Sequence, residues 1–294
     1  MSKKFDIITS VLLILMLLVG LSVMCYPMFS NWWNQNMASH AISNYQEAVS
    51  KLDDEDYEKY FIRAREYNKE IYELDNPFTE YDQVRGYESF LDITGSGIMG
   101  FISIPAIRVE LPIYHGTSEE VLNIAIGHLE GSSLPVGGKN THAVLSGHRG
   151  LPSAKLFTDL DKIVEGDYFT LNILNEVLTY EVEKISIVKP DEIEGIRIVP
   201  GADKVTLVTC TPYGVNTHRL LIRSKRIATQ EEKAEVKVTS DAVQADMVVS
   251  VPVIAVPFLL MLFIFWGISG MIKGKRTLVL EKYKVRYNYK KKFR

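Results

Sequence analysis

The stretch TLVTCTPYGVNTHRLLIRSKR, residues 206–226, decides how the chain is interpreted. A run of β-branched and aliphatic residues leads to Cys210, a Pro-Tyr-Gly turn follows, and a second apolar run carries Arg219. The two runs predict a pair of β-strands joined by a turn. The pattern leaves two interpretations of Cys210: a small buried hydrophobe, or a nucleophile whose arginine lies on the neighbouring strand.

Two uncharged apolar stretches predict membrane helices near the two ends of the chain. They span residues 5–29 and 247–272, and each is long enough for the ~20 residues that cross a bilayer core as a helix. The first could instead be a cleaved signal peptide, but its apolar run is too long and no small-x-small site follows it. We expect an uncleaved anchor after a short cytoplasmic N-terminus, residues 1–4.

Basic residues set the expected orientation of both helices. Lys3 and Lys4 precede the first stretch, and residues 273–294 hold ten Lys and Arg against one acid, Glu281. The positive-inside rule then places both termini in the cytoplasm and the middle of the chain outside the cell. The expected protein is a multi-pass protein of the cell membrane, with the lipid bilayer as a partner. The basic tail suits anionic head groups, although a topology signal alone explains it equally well.

Charge and cysteine content restrict what the outer part does. The formal net charge is −3, the tail contributes +9 and residues 1–6 contribute +1, which leaves −13 for the outer part. Such an acidic domain is not expected to bind nucleic acid. The chain has two cysteines, and Cys25 falls in the first apolar stretch. The outer part therefore holds one thiol and no internal disulfide.

The region between the apolar stretches divides into helices, a loop and a β-rich part. Residues 30–74 carry apolar side chains at intervals of three and four, which predicts one or two amphipathic helices, with a solvated stalk as the alternative. Asn76-Pro77 breaks that pattern and begins a loop up to residue 94. Residues 95–230 form short alternating runs punctuated by Gly, Pro and Asn, which predicts a barrel or sandwich. The polar residues 231–246 are expected to be a linker.

A catalytic thiol needs a neighbouring base or cation that favours the thiolate. The six candidate histidines are His40, His115, His128, His142, His148 and His218. Flanking glycines leave His148 uncrowded, whereas His218 is adjacent to Arg219 and must face the other way on a strand. Chemistry alone therefore favours Cys210 with His148 and Arg219, whose guanidinium could hold a carbonyl or an oxyanion. Each of the three also has an ordinary structural interpretation.

Other chemistries lack their motifs. The chain has neither His-Glu-x-x-His nor paired Cys-x-x-Cys, so we expect no zinc or other metal site. It also has neither a Gly-x-Ser-x-Gly elbow nor a phosphate-binding loop. We expect no cofactor.

The opening stretch resembles the active-site segment of sortases, the membrane-bound cysteine transpeptidases of Gram-positive bacteria. In the pilus-type branch, class C, this segment reads Cys-Thr-Pro-Tyr-Gly-x-Asn-x-His-Arg-Leu, and residues 210–220 follow it throughout. THAVLSGHRGLPSAKLFTDLD, residues 141–161, resembles the catalytic-histidine segment of the family. The resemblance implies that Cys210 is the nucleophile, His148 the acid/base and Arg219 the substrate and oxyanion stabiliser.

The resemblance also implies a fold and a reaction. The expected fold is mainly β, an eight-stranded sortase barrel with N-terminal helices and a transmembrane helix at each end. Sortases cut an LPXTG-like sorting signal between Thr and Gly and hold the Thr as a thioester. Pilus-type members pass the acyl group to a Lys amine of a pilin, which polymerises pili. Pilin subunits with C-terminal LPXTG-like signals are therefore the implied partners.

The loop at residues 75–78 resembles the N-terminal lid of pilus-type sortases. In that lid an Asp-Pro-aromatic motif places the Asp on the catalytic Arg and the ring over the Cys. This chain reads Asp75-Asn76-Pro77-Phe78, so Phe78 fits the ring position while the Asp comes one residue early. Either Asp75 reaches Arg219 through a shifted turn, or Asn76 makes a weaker neutral contact. Asn-Pro is also simply a turn signal.

Two other functions stay open at this point. A sortase that anchors proteins to the cell wall would use a peptidoglycan amine as its acceptor, and a non-catalytic membrane scaffold would only organise pilus assembly. The lid and the second membrane helix favour polymerisation over anchoring. The intact Cys210, His148 and Arg219 argue against a scaffold.

Overall fold

Eight strands form a closed barrel in the computed structural model of the chain, which describes residues 3–229, with side chains described from residue 9. The strands are β1 (Ile98–Ile104), β2 (Val109–His115), β3 (Ile126–His128), β4 (Thr141–Ser146), β5 (Tyr168–Ile173), β6 (Glu176–Val188), β7 (Asp203–Thr211) and β8 (His218–Ile227). Their order around the barrel is β1-β2-β3-β4-β7-β8-β6-β5, and β5 pairs back with β1. The barrel, rather than a sandwich, is confirmed.

Two pairs of neighbouring strands are parallel, and one of them positions the site. β2 pairs with β3, and β4 pairs with β7, in parallel, whereas β7 and β8 are antiparallel neighbours. Alternate residues of a strand point to opposite faces, so one set fills the barrel and the other set covers its outside. In β7, Val205, Leu207 and Thr209 are buried, whereas Val208 and Cys210 are only half-buried. Side chains fill the interior of an eight-stranded barrel, so chemistry is confined to its outer face and rims.

Two long helices precede the barrel: α1 (Lys3–Val49) and α2 (Asp54–Glu73). Asp53 caps α2, because its side chain accepts a hydrogen bond from the Asp56 N–H at 2.9 Å. Acidic residues in the first turn interact favourably with the positive end of the helix dipole. The buried face of α2 consists of Phe61, Ala64, Tyr67, Asn68 and Ile71. This segment is therefore an amphipathic helix packed on the core, not a solvated stalk.

The described chain divides into two units, residues 3–28 and residues 29–229, and α1 contributes residues to both. In the first unit α1 is long and apolar enough to cross a membrane, and its most apolar window has a mean hydropathy of 2.4. In the second unit α1 is hydrogen-bonded to the barrel through Tyr45. The Tyr45 hydroxyl donates to the Met99 carbonyl at 3.1 Å and accepts from the Leu174 N–H at 2.8 Å.

Short helical turns fill the connections between these elements. The α-helical ones are α3 (Pro77–Glu80) and α4 (Glu119–Leu122), and 3-10 turns occupy Tyr81–Gln83, Tyr87–Ser89, Pro105–Ile107, Leu160–Lys162 and Glu194–Ile196. Three sequence predictions fall outside the described residues: the linker at 231–246, the second membrane helix at 247–272 and the basic tail at 273–294. These stay predictions.

Candidate active site

Cys210 and Arg219 lie directly opposite each other on the antiparallel strands β7 and β8. Residues in such positions have their Cβ atoms about 4.5–5.5 Å apart and their side chains on the same face. That face is the outer one, because the alternate residues Thr209 and Leu220 are buried in the barrel. Both Cys210 and Arg219 are half-buried at the end of their strands. Cys210 is therefore not a core residue.

His148 reaches the same row of residues from the other side of β7. Strand β4 runs parallel to β7 with Ser146 opposite Val208, and the Gly147 N–H then donates to the Val208 carbonyl at 3.0 Å. Continued two residues past the end of β4, this register predicts His148 beside Cys210. Alternation with Gly147 predicts that His148 shares the outer face with Ser146. The structure thus brings Cys210 and Arg219 together, and the register predicts that His148 extends this pair into one reactive row.

Gly147 is the residue that lets the chain turn closely against the core before His148. A Cβ at this position would lie 2.7 Å from both Ile126 Cδ1 and Phe157 Cδ2, which real Cβ atoms do not tolerate. The Phe157 N–H in turn donates to the His148 carbonyl at 3.1 Å. The backbone of His148 is therefore fixed by packing and hydrogen bonding, and its imidazole takes no part in these contacts.

Burial separates His148 from two other histidines, His128 and His142. His128 Nδ1 lies 2.9 Å from the Tyr87 hydroxyl, and His142 Nε2 lies 2.7 Å from the Thr206 hydroxyl. Burial lowers the pKa of each of these two histidines to about 4, so both are neutral and structural. His148 is half-buried, and within residues 9–229 its ring has no hydrogen-bond partner. Its ring nitrogens are therefore available for proton transfer.

The remaining histidines lie away from Cys210 or face another way. Both ring nitrogens of His115 contact backbone carbonyls, at 2.9 and 2.8 Å. His40 is exposed on α1. His218 alternates with Arg219 and so points to the opposite face, where its Nδ1 lies 2.9 Å from the Thr217 hydroxyl. His148 is the histidine that fits the role of base.

A groove of about 520 Å³ runs along the outer face of the barrel from Arg219. This volume falls in the range typical of ligand-binding clefts. Outward side chains of β4, β7 and β8 line it, and so do residues of the β6–β7 connection and of the segment after α2. Its apolar lining residues include Phe78, Leu122, Leu129, Val144, Val188, Ile193, Ile196, Val208 and Leu221. The site therefore combines the Cys210–Arg219 pair with a mainly apolar groove that begins at Arg219.

Known proteins are similar to this chain in sequence and fold. A family model described as "Sortase domain" matches residues 102–227. Sortase C1 from Streptococcus agalactiae is 52% identical, with a TM-score of 0.60, and the match covers 65% of this chain and 100% of that one. Sortase D of Bacillus subtilis is 33% identical over 149 residues, which are 50% of this chain and 72% of that protein. The chain belongs to the class C sortases.

A second structural relative has been solved with part of its substrate. Sortase C from Clostridium perfringens, with the C-terminal cell wall sorting motif, is 42% identical and has a TM-score of 0.57. The match covers 65% of this chain and 100% of that one. Sortases are cysteine transpeptidases with an extracellular catalytic domain. In this sortase, the apolar part of α1 suggests membrane anchoring.

The segment expected to be the lid of this sortase lies against the groove. Helix α3 places Phe78 on the apolar cluster of Val144, Ile196 and Leu221. None of the four residues of α3 is fully buried. The backbone of α3 also approaches Gly131, because a Cβ built on Gly131 would lie 2.5 Å from the Pro77 carbonyl oxygen. The contact is therefore apolar at Phe78 and backbone-to-backbone at Gly131.

Neither polar lid contact that the sequence left open is present in residues 9–229. Asp75 and Asn76 are exposed, and the Asn76 N–H donates to Glu80 Oε2 at 3.1 Å. Arg219 Nη1 donates instead to the carbonyls of Asn216 at 3.3 Å and His218 at 3.1 Å. A guanidinium has five N–H donors, so this sortase keeps donors free for a substrate oxygen.

Sequence reasoning missed Gly131, and it anticipated the tight turn at Gly147 but not the packing that requires it. Gly131 has a φ of +84°, where glycine is favoured, and it permits the close approach of the lid segment. Gly147 permits the close packing before His148. The Gly-Ser-Ser turn at residues 131–133 and the Ser-Gly-His motif at residues 146–148 were visible signals. A single sequence does not say which backbone a glycine will meet.

Proposed function

We propose that this class C sortase polymerises pilins, with Cys210 as nucleophile, His148 as acid/base and Arg219 as stabiliser of the substrate oxyanion. The observation that carries the proposal is the pair of Cys210 and Arg219 on one outer face, at the end of the apolar groove. An LPXTG-like sorting signal offers Leu and Pro side chains that suit such a groove. The Clostridium perfringens relative was solved with a C-terminal cell wall sorting motif.

The first half-reaction cleaves the sorting signal. The Cys210 thiolate attacks the carbonyl carbon of the Thr, and a tetrahedral oxyanion forms. The free donors of Arg219 then face the developing negative charge, where stabilisation matters most. His148 in its imidazolium form gives a proton to the Gly nitrogen as the C–N bond breaks. The products are a Thr thioester on Cys210 and a free Gly amine.

The second half-reaction joins two pilins. A neutral Lys amine of the acceptor pilin attacks the thioester carbonyl and passes a proton to His148, and the Cys210 thiolate leaves. The new bond is an isopeptide bond, so no water is consumed. The free energy of the cleaved peptide bond is retained in the thioester, and no ATP is required. The thiol and the imidazole act as one coupled pair, which makes a bell-shaped pH dependence the expectation.

The segment at residues 75–83 serves as a lid over this site. Phe78 rests on the apolar lining that the sorting signal would occupy, so signal and lid compete for the same surface. The segment consists of short helical turns without a fully buried residue, which is typical of elements that open locally. Asp75 and Asn76 belong to this lid by position rather than by a contact with Arg219.

The topology of the proposed enzyme follows from charge and hydropathy. Residues 1–4 and 273–294 lie in the cytoplasm, residues 5–29 and 247–272 cross the membrane, and the part between them is extracellular. The extracellular part comprises helices and lid at 30–94, the catalytic barrel at 95–230 and the linker at 231–246.

Polymerisation is tested with the purified full-length chain in detergent and a pilin that carries its own sorting signal. We expect a ladder of covalent multimers, which Cys210→Ala abolishes and Cys25→Ala leaves intact. The second variant is a matched control, because Cys25 lies in the apolar part of α1. Transfer only to an added peptidoglycan-type amine would favour the anchoring function. A ladder that survives Cys210→Ala would indicate a scaffold and contradict the proposal.

A further inference from the structure

A small pocket of mixed polar and apolar lining lies where α1 begins its contact with the catalytic domain. It has a volume of about 200 Å³ and is lined by one face of α1, by the β1–β2 turn with the start of β2, and by the loop at residues 154–156. The lining residues that matter below are Asn31, Gln35, Ser39, Arg108, Glu110 and Lys155. None of the three predicted catalytic residues lines this pocket.

One end of the pocket lies at the depth expected of lipid head groups. The apolar run of α1 ends at Phe29, and a helix rises 1.5 Å per residue, so Asn31 lies at most about 3 Å beyond it, Gln35 about 9 Å and Ser39 about 15 Å. The head-group layer of one leaflet is roughly 5–8 Å thick, so Asn31 falls within it and the rest of the pocket extends toward water. Trp32 and Trp33, which are 56% and 50% exposed, stand between Asn31 and Gln35. Such aromatic residues mark membrane–water interfaces.

The lining of the pocket is rich in hydrogen-bond donors that lack a partner. Within residues 9–229, the side chains of Arg108, Gln35 and Ser39 make no hydrogen bond or ion pair. Asn31 Oδ1 accepts from the Lys155 N–H at 2.9 Å, which leaves its amide NH₂ as a further donor. Glu110 is the one carboxylate in the lining, and it is exposed. Clustered donors around a guanidinium match the oxygen atoms of a phosphate group.

Arg108 occupies a strained backbone conformation at the rim of the pocket. Its φ of 53° and ψ of 47° lie in the left-handed region, which Gly and Asn adopt more readily than Arg. A turn that only needed to connect β1 to β2 would be more stable with one of those residues. An arginine that persists in such a position points to a use for its side chain.

We propose that this pocket binds the phosphate of an anionic membrane phospholipid, with the Arg108 guanidinium as its principal ligand. A lipid is favoured over free phosphate because the Asn31 end of the pocket lies at head-group depth beside the exposed Trp32 and Trp33. The neighbouring hydrogen bond from Asn34 Nδ2 to the Ser153 carbonyl, at 2.7 Å, ties α1 to the loop that follows His148. Lipid binding therefore anchors the side of the domain that carries His148, independently of which pilin is joined.

The test is a lipid titration of the full-length chain in a nonionic detergent. Dihexanoylphosphatidylglycerol is titrated calorimetrically into the wild type and into Arg108→Asn, which removes the charge and tolerates the left-handed backbone. We expect Arg108→Asn to weaken binding about tenfold, because a charge-assisted contact is lost, without lowering the unfolding temperature. Ser39→Phe fills the pocket and should weaken binding as well. Arg85→Asn, an exposed arginine outside the pocket, is the matched control and should bind like the wild type.

Three results would overturn the proposal. The first is wild-type affinity in Arg108→Asn, or in Ser39→Phe if the former does not fold. The second is glycerol phosphate binding as tightly as the lipid, which would indicate a site for a soluble phosphate. The third is equal loss of affinity in Arg85→Asn, which would indicate unspecific attraction. Binding is measured without pilin, so none of these results depends on transpeptidase activity.

Discussion

The reactive row and the lid segment lie side by side, yet they are held in very different ways. Cys210 and Arg219 are fixed by strand pairing, whereas the backbone of His148 is held by the packing of Gly147 against the barrel core and by the hydrogen bond from the Phe157 N–H. The lid at residues 75–83 rests on the half-buried Phe78 and on one close backbone approach at Gly131. The enzyme thus combines preorganised chemistry with a cover that costs little to move.

Because of this difference, mutations in the two regions should have different effects. Changes in the row should alter the chemical step, because the atoms there are already in place when the substrate arrives. Changes in the lid should alter access to Cys210 and leave the chemical step intact. The predictions below test that division, beginning with the largest effect.

Arg219→Ala should lower kcat/KM for a sorting-signal peptide by about 10²–10³-fold, the loss typical of removing one oxyanion donor. The expected effect is on kcat, because the donors act on charge that develops in the transition state. Steady-state cleavage of a fluorogenic sorting-signal peptide measures it. Arg223→Gln is the matched control, because Arg223 lies four residues further along the same strand, on the same face, and its Nε pairs with Glu183 Oε1 at 3.0 Å. An equal loss in both variants would assign the effect to β8 as a whole.

The stability of the barrel should fall in acid because of His128 and His142. Burial lowers the pKa of each to about 4, against about 6.5 in the unfolded chain, so the unfolded state binds more protons in this window. The contribution of these two histidines to stability is then fully present above pH 6.5 and is lost as the pH falls toward 4. From pH 6.5 to 5, the free energy of unfolding should drop by about 2 kcal/mol per histidine.

Urea unfolding of the full-length chain at several pH values measures this dependence. His128→Gln should remove about half of it, because Gln does not titrate. Gly166→Ala should keep the full dependence, since a Cβ there would meet no atom within 4 Å and so would leave both histidine networks intact. An unchanged pH dependence in His128→Gln would contradict the assignment of a buried neutral imidazole.

The contrast between row and lid also explains what the sequence could and could not reveal. Cys210 and Arg219 are nine residues apart around a turn, so strand pairing brings them opposite without any long-range information. Flanking glycines favoured His148 and the resemblance supported it, but sequence alone does not show the burial that separates His128 and His142 from it. The contact of Gly131 with Pro77 joins distant segments through backbone atoms, which no side-chain pattern encodes. Likewise, the left-handed conformation of Arg108 has no signal in its residue type.

Gly131→Ala should increase the rate at which a thiol reagent labels Cys210 by about tenfold, equivalent to about 1.4 kcal/mol lost from the closed lid. The added Cβ would lie 2.5 Å from the Pro77 carbonyl oxygen, so the closed position is no longer available without a shift. Phe78→Ala should act in the same direction, because it removes the apolar contact with the groove. Stopped-flow labelling with a methanethiosulfonate measures both rates.

Gly166→Ala separates this effect from backbone strain. Gly166 also has a positive φ, +93°, but a Cβ there would meet no atom within 4 Å. It should therefore lower stability slightly and leave the labelling of Cys210 unchanged. Equal acceleration in Gly166→Ala and Gly131→Ala would mean that general loosening of the barrel, and not the lid, controls access to the thiol.

The smallest effect is expected for Asp75→Asn, which should change the labelling rate of Cys210 by less than about twofold. Asp75 is exposed and makes no ion pair with Arg219 in the part of the chain that the structure describes. A lid held by such an ion pair would open faster in high salt, because salt screens exposed charges. If Phe78 and Gly131 hold the lid instead, Cys210 should be labelled at the same rate in low and high salt. Acceleration by Asp75→Asn that disappears in high salt would show that the Asp75 carboxylate reaches Arg219 in solution. The closed lid would then be held by an ion pair.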